Sequence, residues 1–489
     1  MNKNGITLLG LGPGDPDLIT RQAWEVLQNT PEIYVRTRQH PALAGLPASL
    51  SVCSFDEVYE QEPSFEKVYN QIVEKVLELG RRPQGVVYAV PGHPFIAEAT
   101  PREIARRARL EGIPVRVVEG ISFLDATLAA LGEDVLPHTA LVDALELVQA
   151  HVPPFPADAP ALIAQIYSAQ VASDVKLTLM EVYPDEHPVK LVHGAGTPEA
   201  QVEELALYEI DRSRKIGLLT SLYVPPLGPA TSLEAFQEIV AHLRAPEGCP
   251  WDREQTHQSL RSSLLEETYE VLAALDADNP ASLREELGDL LLQIVLHAQI
   301  ANEYGEFSLA EVIQGIHTKI VARHPHVFGD VKVEGVKGVL QNWEQLKADE
   351  RKANGKEQAS VLDGVPAALP ALSQAEQYTS RAARLGFEWP RLEDVFHKVL
   401  EEIDEIRQAQ GQEALHQEVG DLLLAAVDLA RFYKVEPESA LREANARFRK
   451  RFNLIEEKAR QSGRKVSDLS LQEMLDYWEE AKTKSAGDA

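Results

Sequence analysis

The sequence predicts a chain in two parts: a two-lobed α/β half, then an all-α half built from two tandem copies of one helical module. Three observations carry this. Short β-like runs alternate with helical stretches from Ile6 to about Tyr223 and then nearly vanish. Next comes Val-Pro-Pro-Leu-Gly-Pro-Ala-Thr-Ser at 224–232, where prolines and a glycine forbid a continuing helix. Finally, motifs of the second half recur in the same order 128 to 135 residues later. A length of 489 residues fits two to four domains, at roughly 100 to 200 residues each. The expected division is an α/β domain at 1–224, a linker at 225–231, a first helical domain at 232–358 and a second at 359–489.

In the first half the strand-like runs are 6–9, 33–35, 86–90, 115–118, 161–166, 190–193 and 217–219. The first run leads into Gly10-Leu11-Gly12-Pro13-Gly14-Asp15-Pro16, and a helix is expected to start near Thr20. A glycine loop after a first strand is a place where backbone approaches a ligand closely. A dinucleotide is a poor match. Pro13 and Pro16 remove amide donors that a pyrophosphate needs, and the run 33–35 ends in Arg36 instead of a ribose-binding acid. An adenosyl compound held through carbonyls fits better. Two more loops follow strands: Pro91-Gly92-His93-Pro94-Phe95 and Glu119-Gly120-Ile121-Ser122-Phe123.

In the second half, helical segments are expected at 232–245, 257–277, 281–305, 308–322 and 339–352, with a comparable series from 370 onward. The repeat is read from four pairs of motifs. Glu266-Glu267-x-x-Glu270 recurs as Glu401-Glu402-x-x-Glu405, and Glu286-x-x-Asp289 as Glu418-x-x-Asp421. Lys319-x-x-x-Arg323 recurs as Arg447-x-x-x-Arg451, and Trp343-x-x-x-Lys347 as Trp478-x-x-x-Lys482. Positions i and i+3 share a helix face, so Glu267 projects with Glu270 and Glu286 with Asp289. The turn at 276–280 makes the two helices antiparallel neighbours. Four carboxylates then converge, with Arg284 as the single basic residue in 264–292. Crowded like charges call for a cation, and all-oxygen donors select Mg²⁺ or Mn²⁺. Such an ion can bind triphosphate oxygens and activate a water for attack at the α-phosphorus. Lys319 and Arg323, one turn apart, can neutralise outer phosphates, and a Trp can stack on a base or pack in the core.

His324 and His326 flank Pro325 and are read as loop-structuring residues. Cys249 in Cys249-Pro250-Trp251-Asp252 is read as packing in a structured loop before a helix. The run 290–301 is apolar almost all round, which requires burial on several faces. Pairing of the two repeats, a homodimer, or both is expected.

These residues resemble two known families. Over about 5–224, the Gly-Pro-Gly-Asp-Pro-x-Leu-Ile-Thr motif and the two later loops resemble the tetrapyrrole methylases, two-lobed α/β enzymes that use S-adenosyl-L-methionine. The resemblance implies cofactor contacts from Gly12, Pro13, Gly14, His93, Ile96, Ser122 and Phe123. His93 stands where that family commonly has Asp. Over roughly 230–482, the Cys-Pro-Trp-Asp segment, the acid pairs and Arg323-His324-Pro325-His326-Val327-Phe328-Gly329 resemble MazG, the all-α nucleoside triphosphate pyrophosphohydrolases. That resemblance implies metal ligands Glu267, Glu270, Glu286 and Asp289, then Glu402, Glu405, Glu418 and Asp421. It implies a nucleotide site of Lys319, Arg323, Trp343 and Lys347, with Arg447, Arg451, Trp478 and Lys482 in the second copy. The first copy, with fewer basic neighbours, is expected to carry catalysis through its four acids, Lys319 and Arg323. Together the halves are similar to bacterial methylase–MazG fusion proteins. Two rival readings are a first half that binds S-adenosyl-L-methionine only as a sensor regulating the hydrolase, and helical repeats that only oligomerise.

Composition bounds the partners. A formal net charge of -28 repels a nucleic-acid backbone. Two cysteines, Cys53 and Cys249, argue against a disulfide framework and fit a reducing cytoplasm. Neither a signal peptide nor a membrane span, which needs about 20 apolar residues, is read. Nucleoside triphosphates and S-adenosyl-L-methionine remain as expected ligands.

Overall fold

The computed structural model describes residues 5–487 except 63, 337, 340–341, 344–345, 348–349 and 351–359. The chain divides into two compact units, Met1–Leu243 and Arg244–Ala489. The proline-rich segment 225–231 stays on the first unit: the Leu227 amide donates to the Ala157 carbonyl at 2.8 Å, and Ser232 Oγ to Asp158 at 2.6 Å. The expected boundary at 358/359 lies outside the described residues.

The first unit holds two five-stranded sheets. One contains β1 (Ile6–Gly10), β2 (Glu32–Val35), β3 (Ser51–Ser54), β4 (Val86–Val90) and β5 (Val115–Val118) in the order β3-β2-β4-β1-β5, all parallel. Parallel strands need crossovers, and helices such as Phe65–Gly80 and Ala99–Leu110 supply them. Strands covered on both faces read as apolar runs. Leu8, Tyr88 and Val90 pack with Ile72 and Leu77 on one face, while Leu9, Ala89 and Val118 pack with Ala23 and Leu27 on the other.

The second sheet contains β6 (Ala140–Asp143), β7 (Ala161–Ala164), β8 (Pro188–His193), β9 (Gln201–Ala206) and β10 (Thr220–Val224) in the order β6-β7-β10-β8-β9. Only β6 and β7 pair in parallel. The strand expected at 217–219 is displaced to Thr220–Val224. The Thr220 amide donates back to the Gly217 carbonyl, and the Gly217 amide donates to Thr220 Oγ1, so those residues form the turn before the strand. β3, β6 and β9 have no counterpart in the sequence reading.

The second unit is helical. Arg261–Asp276 and Pro280–Glu303 form the expected hairpin. Its turn is held by the Asn279 side chain, which accepts from the Ala281 and Ser282 amides, with Pro280 in the first helical turn. Leu392–Gln408 and Gln412–Phe432 repeat the arrangement. Leu309–Arg323 starts at a capping box of Ser308 and Glu311. The Cys249 segment forms a short helix of its own, Pro250–Glu254, where a loop was expected. Buried Arg244 fixes it by donating to the carbonyls of Asp252 and Gln255 while pairing with Glu303 at 2.7 Å. Among the described residues, no helix is long and apolar enough to cross a membrane.

Candidate functional site

The two hairpins each draw three carboxylates together. Glu267, Glu270 and Glu286 place one oxygen each within 4.8 Å of one another, and so do Glu402, Glu405 and Glu418. Asp289 and Asp421 are exposed and fall outside these trios. Asp289 still acts on the first: burial raises the Glu267 carboxyl above its ordinary range, and the Asp289 and Glu270 charges add to it. Burial and Glu270 raise Glu286 in the same direction. Burial and Glu402 raise Glu405, while Lys398 opposes them.

The two trios are not equivalent. Glu402 is almost wholly buried; its Oε1 takes Lys398 at 2.7 Å, and its Oε2 is buried without a hydrogen-bond partner. A buried carboxylate oxygen in that state costs about 1 to 3 kcal/mol or more until a cation or donor reaches it. The donor set is all oxygen in both trios, which fits a hard divalent ion. One turn before Glu267, at the position of Lys398, the first repeat has Ser263.

The residues expected to hold a nucleotide gather only partly. The Arg323 guanidinium lies 5.7 Å from the Trp343 ring centre and Lys347 Nζ lies 4.8 Å from it. Arg323 is already engaged, through Nε and Nη2, by Glu350, a partner the motifs do not announce. In the second repeat Arg451 lies 5.4 Å from the Trp478 ring centre. That indole also packs on Phe448 and on the cluster of Ile455, Ala459 and Leu469, so the second Trp is at least partly a core aromatic. Arg447 and Lys482 pair along their own helices with Glu443 and Glu479. His324 Nδ1 bonds the Ile320 carbonyl at 2.7 Å, a loop-structuring contact.

In the first unit the glycine loop lies where β1 and β4 adjoin. The crossover from β1 runs to one side of the sheet and that from β4 to the other, the switch point where open α/β sheets hold ligands. The loops touch: Gly12 and Gly92 exchange backbone hydrogen bonds of 3.3 and 2.8 Å. A Cβ on Gly10 would stand 2.5 Å from the Gly92 carbonyl oxygen, so only glycine allows the crossing. The amides of Leu11, Gly12 and Asp15 are committed to Val90, Gly92 and Gly196. With Pro13 and Pro16 lacking N–H, the loop offers little to a pyrophosphate, and a close-fitting neutral or cationic ligand suits it. Ser122 Oγ caps the helix Phe123–Leu131, and His93 Nδ1 accepts from the Phe95 amide. Those two side chains therefore organise their loops, while Ile96 closes a turn onto the His93 carbonyl.

Comparison with known proteins places both halves. Residues 5–211 match the family described as Tetrapyrrole (Corrin/Porphyrin) Methylases, and residues 255–328 the MazG nucleotide pyrophosphohydrolase domain. The protein YabN of Bacillus subtilis is 43% identical over 493 residues, covering 98% of this chain and 98% of that one. The nucleoside triphosphate pyrophosphohydrolase/pyrophosphatase MazG of Thermotoga maritima is 43% identical over 250 residues, which are 50% of this chain and 95% of that one. The nucleoside triphosphate pyrophosphohydrolase of Escherichia coli K12 is 44% identical over 250 residues, with 50% and 94% covered.

Proposed function

The chain belongs to the family that joins a tetrapyrrole methylase unit to a MazG region, and on that premise we propose that it hydrolyses nucleoside triphosphates to monophosphate and pyrophosphate and binds S-adenosyl-L-methionine for methyl transfer. The single observation supporting the hydrolase reading is the pair of carboxylate trios. Glu267, Glu270 and Glu286, with Asp289 beside them, would hold Mg²⁺ or Mn²⁺, and Glu402, Glu405 and Glu418, with Asp421, a second ion. The ion, when bound, supplies Lewis-acid charge neutralisation and an acidified water. The chain's part is to fix the carboxylates, to set Lys319, Arg323 and Lys347 as cationic partners for phosphate oxygens, and to offer Trp343 as a face for a base. We place catalysis in the first repeat, where among the described residues no ammonium pairs with the trio, and give Arg447, Arg451, Trp478 and Lys482 the corresponding places in the second. A panel of canonical and damaged triphosphates, assayed for pyrophosphate with and without Mg²⁺, tests this. Magnesium-dependent release from at least one member is expected; no release from any would favour a purely structural role for the helices.

For the first unit, the support is the glycine crossing with its committed amides. Gly12, Pro13, Gly14, His93, Ile96, Ser122 and Phe123 would line the adenosyl site. Calorimetry on the whole chain should detect S-adenosylhomocysteine binding and no comparable binding of NAD. Binding without methyl incorporation into any acceptor would turn the reading to a sensor.

The helical unit also leaves an apolar stripe exposed. Leu287, Leu291 and Ile294 share one face of Pro280–Glu303, and Ile313, Ile316 and Ile320 one face of Leu309–Arg323. Such a patch is a protein interface more often than a solvated surface. Within the unit, Arg442 of the second repeat meets Asp276 of the first at 3.2 Å, and among the described residues the stripe stays exposed. We propose a homodimer through it. Sedimentation velocity is expected to give twice the chain mass, and Leu291→Glu with Ile294→Glu should shift it to monomer; a wild-type monomer would rule the interface out.

A further inference from the structure

The carboxyl ends of β2 and β4 carry a buried polar cluster that the adenosyl site leaves unused. Arg36 follows β2 and Glu98 ends the loop after β4, and they pair through Nη1 and Oε2 at 3.0 Å, with the Glu98 side chain only 5% exposed. Arg36 Nε is buried without an acceptor. Arg36 engages Glu98 through Oε2 and not through Oε1. His40 is buried beside the Pro13 carbonyl of the glycine loop, yet neither ring nitrogen completes a hydrogen bond. Burial and the Arg36 charge push that imidazole down to about 4, so it is neutral. Tyr59 and Tyr69 lie within reach of the Arg36 charge, and Tyr88 closes the floor through a 2.9 Å bond to Thr100. Ala97 adopts φ +54°, a left-handed conformation that a non-glycine residue rarely takes, directly before Glu98.

An ion pair that served only to tie two loops would gain from saturating its donors and acceptors. Here a guanidinium N–H and both nitrogens of an imidazole are buried unsatisfied, each bearing the desolvation penalty of an unmade hydrogen bond. The groups open to a ligand are a buried donor on Arg36 and, beside it, the Glu98 oxygen that Arg36 does not engage. A carboxylate ligand would satisfy the first and be repelled by the second. A neutral edge with C=O next to N–H satisfies both.

We propose that Arg36 and Glu98 form the methyl-acceptor subsite of the first unit and take a planar lactam or cis-amide edge, its oxygen on Arg36 Nε–H and its N–H on Glu98 Oε1. This rests on the methyl-transfer reading of that unit. In the step it implies, the ring nitrogen forms a bond to the methyl carbon as the S–CH₃ bond of the sulfonium donor breaks. The sulfur leaves as a neutral thioether and the N–H proton passes to the Glu98 carboxylate. Glu98 is then the catalytic base, and Arg36 holds the acceptor oxygen. Burial pushes the Glu98 carboxyl up to about 7 against the pull of Arg36, the range in which a base serves best at neutral pH.

The test uses the whole chain saturated with S-adenosylhomocysteine and three probes: 2-pyridone, N-methyl-2-pyridone and benzoate, followed by calorimetry or saturation-transfer NMR. The expected result is 2-pyridone binding at least tenfold tighter than either other probe, with the preference lost in Glu98→Ala. Should that variant unfold by circular dichroism, Glu98→Gln is expected to cut the preference at least threefold, because a neutral amide oxygen is a weaker acceptor than a carboxylate. Preference for benzoate would make this an oxyanion pocket. Absence of 2-pyridone binding, or binding unchanged in the variants, would make the pair a structural tie. Each of those outcomes overturns the inference. S-adenosylhomocysteine binding in the same cell separates the two readings: if it binds and 2-pyridone does not, only the acceptor subsite fails.

Discussion

Replacing one carboxylate in each trio, Glu286→Gln with Glu405→Gln, is expected to lower pyrophosphate release by at least 1000-fold, about 4 kcal/mol of lost transition-state stabilisation, while the helical fold persists. Each change removes a ligand from a group of three, and neither side chain is ion-paired among the described residues. The sign of the stability effect follows from the raised carboxyls. A folded-state pKa above the unfolded one means that each charged glutamate opposes folding at pH values above the unfolded pKa. The neutral glutamines should therefore leave the melting temperature equal or higher at pH 7, with the difference vanishing below the ordinary carboxylate range. Retained hydrolysis in the double variant would remove the metal assignment; lost hydrolysis together with lost helicity by circular dichroism would leave it unsupported by this variant. Glu267→Ala with Asp289→Ala, outside the ion pair that Lys398 makes with Glu402, then decides between the two.

The second large effect is expected at the glycine crossing. Gly12→Val should weaken S-adenosylhomocysteine binding at least 100-fold. Gly12 sits at φ +78°, where a β-branched residue is strained, and its Cβ would stand 2.9 Å from the Leu18 carbonyl oxygen. The strain alone is about 1 to 3 kcal/mol, and the added side chain either enters the ligand's space or displaces the loop. Gly12 lies in the loop after β1, outside the strands and helices that carry the two cores, so cooperative melting of the unit should survive. Gly112→Ala is the control: it has φ +71° but nothing within 4 Å of a new Cβ, and it should bind as wild type does. Equal binding by Gly12→Val and wild type would move the ligand elsewhere.

Much of this was legible in the chain because the signals are local. The central strands β1, β4 and β7 are covered on both faces and read as apolar runs, whereas β3, β6 and β9 are edge strands. Edge strands such as Gln201–Ala206 have only exposed and half-buried positions and none fully buried, and their hydrophobic signal is too weak to stand out. The carboxylate pairs were legible because i, i+3 spacing fixes a helix face and the 276–280 turn fixes the neighbour.

Periodicity, turn chemistry and side-chain type within short spans set the two-part architecture, the tandem repeat, the acid pairs on facing helices and the shortage of amides in the glycine loop, whereas the expected convergence of four carboxylates came out as three. Tertiary structure decided what distance along the chain conceals. It set Asp289 and Asp421 apart from the trios, gave Lys398 to Glu402 and Glu350 to Arg323, and buried Arg36 against Glu98, 62 residues away. Burial and pairing across such separations arise from the packing of whole elements, and no local spacing encodes which polar atoms that packing leaves unsatisfied.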